Sequence, residues 1–334
     1  MSDSPISIYK CYAHLPLVRM QVNAVLPLGQ GIIKTMDFES WRRIDGGFSD
    51  ARRHFESTRP VFYCEELAAD RELIQAMKAR QSKEPFYTQL VKPFRRSVTK
   101  VYQALLLTTG CRIPEPELSA FYYDNFRLGN IFRTFGPFER EAIVYGGELV
   151  QAEVTGEQVT KLIAMHSMLC NVESTLTIPE IHNALRTLAR TARPEFTLLN
   201  DFVQCVAALE ALLMSEVRVD LTKTFARRAA VLLNSDRTRL SKAFELTKRF
   251  YEVRSKALHG SEYRTAIKES GYEEGVFLFL GRNSLSLAVQ RTIDYLRMKG
   301  DGGNGLVEMR VKLDAGYDND KQFSSLHAQW DRRL

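Results

Sequence analysis

The segment FYEVRSKALHG, residues 250–260, holds two side chains that could cleave a phosphodiester bond. Arg254 and His259 are separated by four residues, and Gly260 follows directly. A guanidinium binds phosphate through a planar fork, and an imidazole titrates near neutral pH. Such groups could deprotonate a ribose 2′-hydroxyl, protonate the leaving 5′-oxygen and stabilise the phosphorane without a metal. The same residues also fit an ordinary helix end, with His259 near the negative end of the dipole and Gly260 at the C′ position.

The helix that would carry this pair has two apolar stripes. At about 100° per residue, residues 240–260 put one stripe towards the core and another on the opposite side. Arg254 and His259 border the second stripe, about 140° apart around the helix and about 7.5 Å apart along it. A second apolar face needs a second partner, which could be another subunit of a homodimer. Because symmetric dimers join the same patch of two chains, two copies of Arg254 and His259 would then meet in one composite cleft. The core stripe is Leu246, Phe250, Val253 and Ala257, and the second stripe is Phe244, Tyr251, Ser255 and Leu258.

Glu210 is the acidic residue that the sequence ties most closely to this pair. It lies in an apolar sector of the helix predicted over 196–217, where an unpaired carboxylate would be costly. We expect an ion pair with Arg254 or Arg228, and either a structural or a supporting catalytic role is compatible with that pair. Ser255 could hydrogen-bond a phosphate or its own helix. Together with Glu210 and Ser255, Tyr251 is a residue that we expect to support Arg254 and His259.

Basic residues are concentrated around the motif. From Leu221 to Arg264 there are eleven Lys or Arg residues against four acids, an excess of seven, whereas the whole chain carries +6. A local positive field favours a polyanionic partner, RNA first, although a solvated helix face gives the same pattern. Lys256, Arg264 and Arg228 are the candidate contacts to an RNA backbone.

The residue pattern divides the chain into parts with different predicted secondary structure. Residues 1–156 mix strand-like stretches (17–28 and 141–154) with helical spacing (65–80 and 98–109), which predicts a mixed α/β domain of unknown role. Residues 157–305 are helical almost throughout, with Pro179 at the opening turn of one helix. The segment 306–334 is a polar tail with a few apolar anchors, expected to pack on the N-terminal half or on a partner. The fold class is therefore α+β.

The segment from about 178 to 300 resembles the HEPN superfamily, and within it the Apea-like HEPN domains. The resemblance rests on FVQCVAALEALL, FARRAAVLL and FYEVRSKALHG in that order, and on the superfamily's arginine and histidine separated by four to six residues. It implies a helical bundle that dimerises and often acts as a metal-independent endoribonuclease in antiphage defence or toxin–antitoxin systems. By position, Arg254 and His259 inherit the catalytic roles.

Relatives of this kind also act without catalysis, as modules that bind RNA or a regulatory partner. This is the alternative function. The partners that the resemblance implies are RNA, a second copy of the chain, an antitoxin such as a modifying nucleotidyltransferase, or a phage-derived trigger that the N-terminal domain senses.

Other classes of function lack their motifs. The five cysteines are scattered and form no CxxC pair, and His166 with Cys170 lacks a second pair of ligands, so we expect no metal and no cofactor. GxSxG, HExxH and GxxxxGK[ST] are absent from the chain. No apolar run approaches the ~18 residues of a membrane span, which predicts a cytoplasmic protein.

Overall fold

The computed structural model has the expected α+β class. It describes residues 6–15, 18–20, 25–35, 61–70, 87–109, 116–123, 126–129, 152–154, 156–175, 178–190, 197–299 and 303–331. Two compact units divide the chain. The first consists of Met1–Leu105 with Ile113–Ser167, and the second of Leu106–Arg112 with Met168–Leu334.

An antiparallel sheet of six strands, in the order β3-β4-β5-β1-β6-β7, forms the framework of the first unit. Strands β2 and β8 pair in parallel in a separate two-stranded sheet. The strands are β1 (Ile6–Leu15), β2 (Val18–Met20), β3 (Val25–Leu28), β4 (Gly31–Thr35), β5 (Val61–Asp70), β6 (Glu117–Tyr123), β7 (Phe126–Gly129) and β8 (Ala152–Val154). Two helices begin in this unit, α1 (Lys92–Thr109) and α2 (Glu157–Thr175).

Strand β5 corrects one prediction. Residues 65–80 have helical spacing, but Glu65 to Asp70 belong to this strand, and residues 71–80 lie outside the described part. Because residues 65–70 pair with Ile6–Cys11 of β1, and Glu65 also with Gly31 of β4, tertiary hydrogen bonding overrides the local periodicity. The helix predicted over 98–109 is confirmed within α1, and the strand predicted over 141–154 is described only in β8.

One face of this sheet is packed under α1. Tyr63 of β5 stacks on Phe94 with ring centroids 6.0 Å apart. A Cβ at Gly31 would lie 2.5 Å from the Tyr63 hydroxyl oxygen, so the neighbouring strand needs glycine there. Glu65 is buried on the same face, where burial raises its pKa despite hydrogen bonds from Ser97 and Tyr63.

The second unit is a helical bundle around one central helix. Its helices are α3 (Pro179–Arg190), α4 (Leu198–Met214), α5 (Leu221–Leu233), α6 (Leu240–Leu258), α7 (Arg264–Glu269), α8 (Glu274–Lys299), α9 (Gly303–Asp318) and α10 (Asp320–Asp331). Helix α4 is apolar almost all round because α3, α5, α6 and α8 all pack against it. Phe202 of α4 meets Phe250 of α6 and Phe277 of α8, with ring centroids 5.2–5.7 Å apart in this cluster.

Buried arginines hold the carboxyl ends of the bundle helices. Arg282 donates to the carbonyl of Leu188 near the end of α3, at 3.0 Å. Arg310 donates to the carbonyl of Leu212 in the last turn of α4, at 2.7 Å, and Arg291 donates to the carbonyl of Leu232 at the end of α5. The last carbonyls of a helix have no partner inside it and carry partial negative charge, so a buried cation satisfies both needs.

The C-terminal segment is part of the bundle rather than a tail. Residues 303–331 form α9 and α10, and α9 packs on α5. Trp330 is buried and donates its indole N–H to the carbonyl of Arg291 at 3.0 Å. Phe323 and Leu326 are buried as well. The few apolar anchors seen in the sequence suffice because they recur at helical spacing on one face.

Gly281 tests the packing of the aromatic cluster. A Cβ at this position of α8 would lie 2.4 Å from a ring carbon of Phe202, which is fully buried. Alanine is better than glycine in a helix by about 1 kcal/mol, but overpacking a rigid core costs about 1–3 kcal/mol, and a contact this short belongs at the upper end. We expect Gly281→Ala to lower the free energy of unfolding by about 1–2 kcal/mol in urea titrations.

The matched control is Gly275→Ala in the first turn of the same helix. A Cβ there meets only the flexible carboxylate of Glu273, at 3.3 Å. We expect this change to be neutral or slightly stabilising. Equal stabilisation of both variants would contradict the packing of Phe202 against Gly281.

Candidate active site on helix α6

Helix α6 ends as the sequence predicts. The N–H of Ser261 donates to the carbonyl of Lys256 at 2.8 Å, and that of Gly260 donates to Ala257 at 3.3 Å. This is the hydrogen-bond pattern of the Schellman motif, and its C′ residue, Gly260, has φ +68°. The stop leaves His259 at the C-cap position, exposed to solvent.

The core stripe of α6 is confirmed at its centre. Phe250 and Val253 are fully buried, whereas Leu246 and Ala257 are half-buried. Thr247 is also buried and donates to the carbonyl of Ala226 on α5 at 3.0 Å. The core side of α6 therefore includes a polar residue, Thr247, in addition to the predicted apolar stripe.

The second stripe needs no other chain for its aromatic members. Phe244 packs against Tyr317 of α9 and Tyr251 against Phe225 of α5, each with ring centroids 5.6 Å apart. Leu258, at the end of the helix, is 57% exposed. Helices α5 and α9 of the same chain therefore cover the aromatic part of this stripe, and the contact with another subunit stays a prediction. The apolar surface left open is centred on Leu258.

Arg254 and Glu210 form the predicted ion pair. The Nη1 atom of Arg254 lies 2.8 Å from Oε2 of Glu210, and each side chain is 21% exposed. The guanidinium carbon lies 5.9 Å from the ring centroid of Tyr251. Of the two arginines that could neutralise Glu210, the packing of α6 on α4 selects Arg254.

Two consequences follow inside this cluster of Arg254, Glu210 and Tyr251. Burial and the nearby charge of Glu210 raise the pKa of the Tyr251 hydroxyl, and the charge of Arg254 opposes them. The Nη1 end of the Arg254 guanidinium is held by the ion pair with Glu210, and the buried Nε end has no hydrogen-bond partner among the described residues.

His259 is not part of that cluster. Among the described residues its ring makes no hydrogen bond, ion pair or ring contact. The helix places it about 7.5 Å beyond Arg254 and about 140° around the axis. One chain therefore presents an anchored guanidinium and an exposed imidazole on different sides of α6. Ser255 is half-buried, and its carbonyl accepts the N–H of His259 at 3.2 Å.

The candidate RNA contacts are all engaged with acids. Lys256 pairs with Glu252 at 3.0 Å, and Arg264, still 64% exposed, pairs with Glu274 at 3.3 Å. Arg228 is buried, and its guanidinium bonds Glu216, Asp314 and the carbonyl of Leu213. The prediction that Arg228 contacts RNA is wrong, because its donors are used inside the bundle.

The basic excess of the segment 221–264 is largely offset by the fold. Nine of its eleven Lys and Arg residues lie in ion pairs, and Lys223 and Lys242 are the two without one among the described residues. Seven of the partner acids come from outside the segment, which matches its excess of seven. They are Glu210, Glu216, Glu269, Glu274, Asp314, Asp318 and Asp320.

A small cleft between α3 and α4 is a feature that the sequence reading missed. Its volume is about 150 Å³. Its signal in the sequence is a polar stripe on α3 at helical spacing, with arginines at positions i and i+4. The lining residues are Asn183, Arg186, Thr187, Arg190, Gln204, Ala207 and Ala208.

Removing the carboxylate of Glu210 tests the ion pair. Breaking a buried pair costs about 3–5 kcal/mol and an exposed one less than about 1 kcal/mol. Because Glu210 and Arg254 are each one-fifth exposed, we expect Glu210→Ala to lower the free energy of unfolding by about 1–3 kcal/mol in urea titrations.

Glu245 on the exposed side of α6 provides the matched control. It lies 4.0 Å from Lys248 at the surface, so Glu245→Ala should change stability by no more than about 0.5 kcal/mol. If Glu210→Ala unfolds at the same urea concentration as Glu245→Ala, the pair with Arg254 does not hold α6 against α4.

The described residues contain no group of three or more metal-ligating side chains, and His166 is buried beneath Gly29. None of the described helices combines the length and apolarity required to cross a bilayer. Comparisons of the chain with protein-family models, curated proteins and solved structures found no match.

Proposed function

We propose that this chain is a metal-independent endoribonuclease of the HEPN type, acting in the cytoplasm at a site shared by two copies. The observation that carries the proposal is that one helix, α6, presents both a held guanidinium and an exposed imidazole. Arg254 is held by Glu210 while 21% of its side chain stays exposed, and His259, five residues later, is exposed and makes no side-chain contact among the described residues. A fixed cation and a free imidazole are the two groups that metal-free RNA cleavage requires.

In a dimer, one imidazole would act as the base, the other as the acid, and a guanidinium would stabilise the charge. An imidazole accepts the proton of the ribose 2′-hydroxyl, and the 2′-oxygen attacks the adjacent phosphorus. The bond to the 5′-oxygen then breaks, that oxygen receives a proton from an imidazolium, and a 2′,3′-cyclic phosphate remains. The guanidinium donates hydrogen bonds to the non-bridging oxygens, where negative charge grows in the transition state.

Two copies supply what one chain lacks. Within one chain the two side chains leave α6 about 140° apart, too divergent to face one phosphate from the same side. A twofold contact at the ends of two α6 helices would bring the imidazole of one chain towards the guanidinium of the other. The exposed Leu258, between Arg254 and His259 in sequence, supports a contact there.

The biological setting of the proposal is antiphage defence or a toxin–antitoxin system. In it, the N-terminal unit senses a phage-derived trigger or restrains the nuclease, and an antitoxin such as a nucleotidyltransferase neutralises it. These partners come from the resemblance of the helical unit to the HEPN domains.

A non-catalytic module that binds RNA or a regulatory partner is the second candidate. The observation that favours it is the offset of the basic segment by seven acids, which leaves little uncompensated charge to attract an RNA strand. In that case Arg254 serves the packing of α6 and His259 only the helix end.

Incubation with total RNA in EDTA separates the two. The nuclease predicts cleavage that persists without divalent ions and leaves 2′,3′-cyclic phosphate ends, together with a dimer mass in light scattering. Cleavage that EDTA abolishes would overturn the metal-independent mechanism. Retained RNA binding with no cleavage would favour the module.

A further inference from the structure

We infer that the cleft between α3 and α4 binds a phosphate group of an RNA strand. The observation behind it is the set of groups that line the cleft. Arg186 and Arg190 contribute guanidiniums, Asn183 an amide and Thr187 a hydroxyl, while Gln204 faces them from α4. None of the described residues that line the cleft is a carboxylate. An exposed guanidinium such as that of Arg186, set among polar side chains, favours an anion.

The charge of Arg186 is not neutralised within the described part of the chain. The acids nearest to it in sequence and on the facing helix are engaged elsewhere. Glu180 pairs with Arg310, Asp201 with Arg282, and Glu210 with Arg254. Arg186 is exposed and has no ion pair among the described residues. In a unit where most arginines are matched to a carboxylate, this guanidinium is left for an external anion.

The size of the cleft limits what enters it. At about 150 Å³ it is smaller than the ~300–1,000 Å³ of pockets that enclose whole ligands. It suits one phosphate group rather than a complete nucleotide. Ala207 and Ala208 form the side of α4, and their small side chains let such a group come close to the helix.

The position of the cleft links it to the proposed active site. Ala207 lies three residues before Glu210 on α4, which is about 4.5 Å along the helix. Gln204, Ala207 and Glu210 all belong to the outward part of α4. A strand whose scissile phosphate lies near Arg254 could therefore place a neighbouring phosphate against Arg186. The identity of the strand as RNA rests on the proposed function, but the anion site itself does not.

Fluorescence anisotropy with a labelled single-stranded RNA, in a His259→Ala background that slows cleavage, tests the site. Loss of one charge-assisted contact to phosphate should weaken binding about tenfold in Arg186→Gln. The loss should not depend on RNA sequence, and the salt dependence of log K should fall by about one unit. The matched control is Arg297→Gln, which removes an exposed arginine of α8 outside the cleft and should bind like the background.

Each outcome decides the assignment. Equal affinity of Arg186→Gln and Arg297→Gln would overturn the cleft as a phosphate site. Tighter, Arg186-dependent binding of a phosphoserine peptide than of RNA would overturn RNA as its ligand. Millimolar inorganic phosphate that competes with RNA only when Arg186 is present supports it. If the wild-type chain binds RNA in an Arg186-dependent way but does not cleave it, the phosphate site is supported and the nuclease proposal is rejected.

Discussion

His259→Ala is expected to slow RNA cleavage by about 10²–10⁴-fold and to leave the melting temperature unchanged. General acid–base catalysis by a positioned imidazole contributes a factor of this size. Stability should not change because the His259 ring is exposed and makes no contact among the described residues, and the helix stop depends on the backbone of Gly260. Single-turnover cleavage of a labelled RNA measures the rate, and calorimetry the melting temperature.

His182→Ala is the matched control for this prediction. His182 is an exposed histidine of α3 that lies outside the proposed site, so its removal should leave the cleavage rate unchanged. Arg254→Ala is a less clean test, since it also leaves Glu210 without its partner. If His259→Ala cleaves RNA as fast as His182→Ala does, the histidine is a helix cap and the catalytic proposal fails.

Arg282→Ala is expected to be the most destabilising single change considered. Arg282 and Asp201 are 1% and 3% exposed, and their nearest charged atoms are 3.1 Å apart. Removing the guanidinium would leave the buried carboxylate of Asp201, which also accepts from Cys205, without its cation, and the carbonyl of Leu188 would lose this donor. Breaking such a pair costs about 3–5 kcal/mol. For a unit of this size that corresponds to a fall in melting temperature of roughly 6–20 °C.

Two further variants show whether the charge or the packing is responsible. The double change Arg282→Met with Asp201→Leu removes both charges and fills similar space, so it should recover much of the loss. Arg297→Ala, on the exposed side of the same helix, should change stability by no more than about 0.5 kcal/mol. A melting temperature of Arg282→Ala within 2 °C of that of Arg297→Ala would contradict the buried pair.

Local signals in the sequence predicted the helices of the second unit well. The helix predicted at 221–233 has those bounds, Pro179 begins α3, and Gly260 follows the end of α6. Each of these features is set by a few neighbouring residues, through proline at the first turn or glycine in the left-handed region. The ion pair of Glu210 was predictable for the same reason, since an acid on an apolar helix face must find a base.

The first unit shows where local signals fail. Residues 65–70 have the spacing of a helix, yet they form the second part of β5 and pair with β1. A paired strand satisfies its backbone through residues far away in the chain, and no local window contains that information. The same limit applies to residues 303–331. Their apolar residues are scattered in the sequence, and their packing is apparent only in the folded bundle, where α9 lies against α5.

By itself, the sequence determined the α+β class, the bounds of several helices, the place of the Arg254–His259 pair and the need of Glu210 for a cation. Only the tertiary structure decided that this cation is Arg254, that Arg228 is buried, and that α5 and α9 cover the aromatic residues of α6. It also decided the electrostatics, because acids such as Asp314 and Asp318 approach the basic helices only in the folded bundle. Helix ends depend on adjacent residues, whereas charge pairing and burial depend on distances in space that the order of residues does not encode.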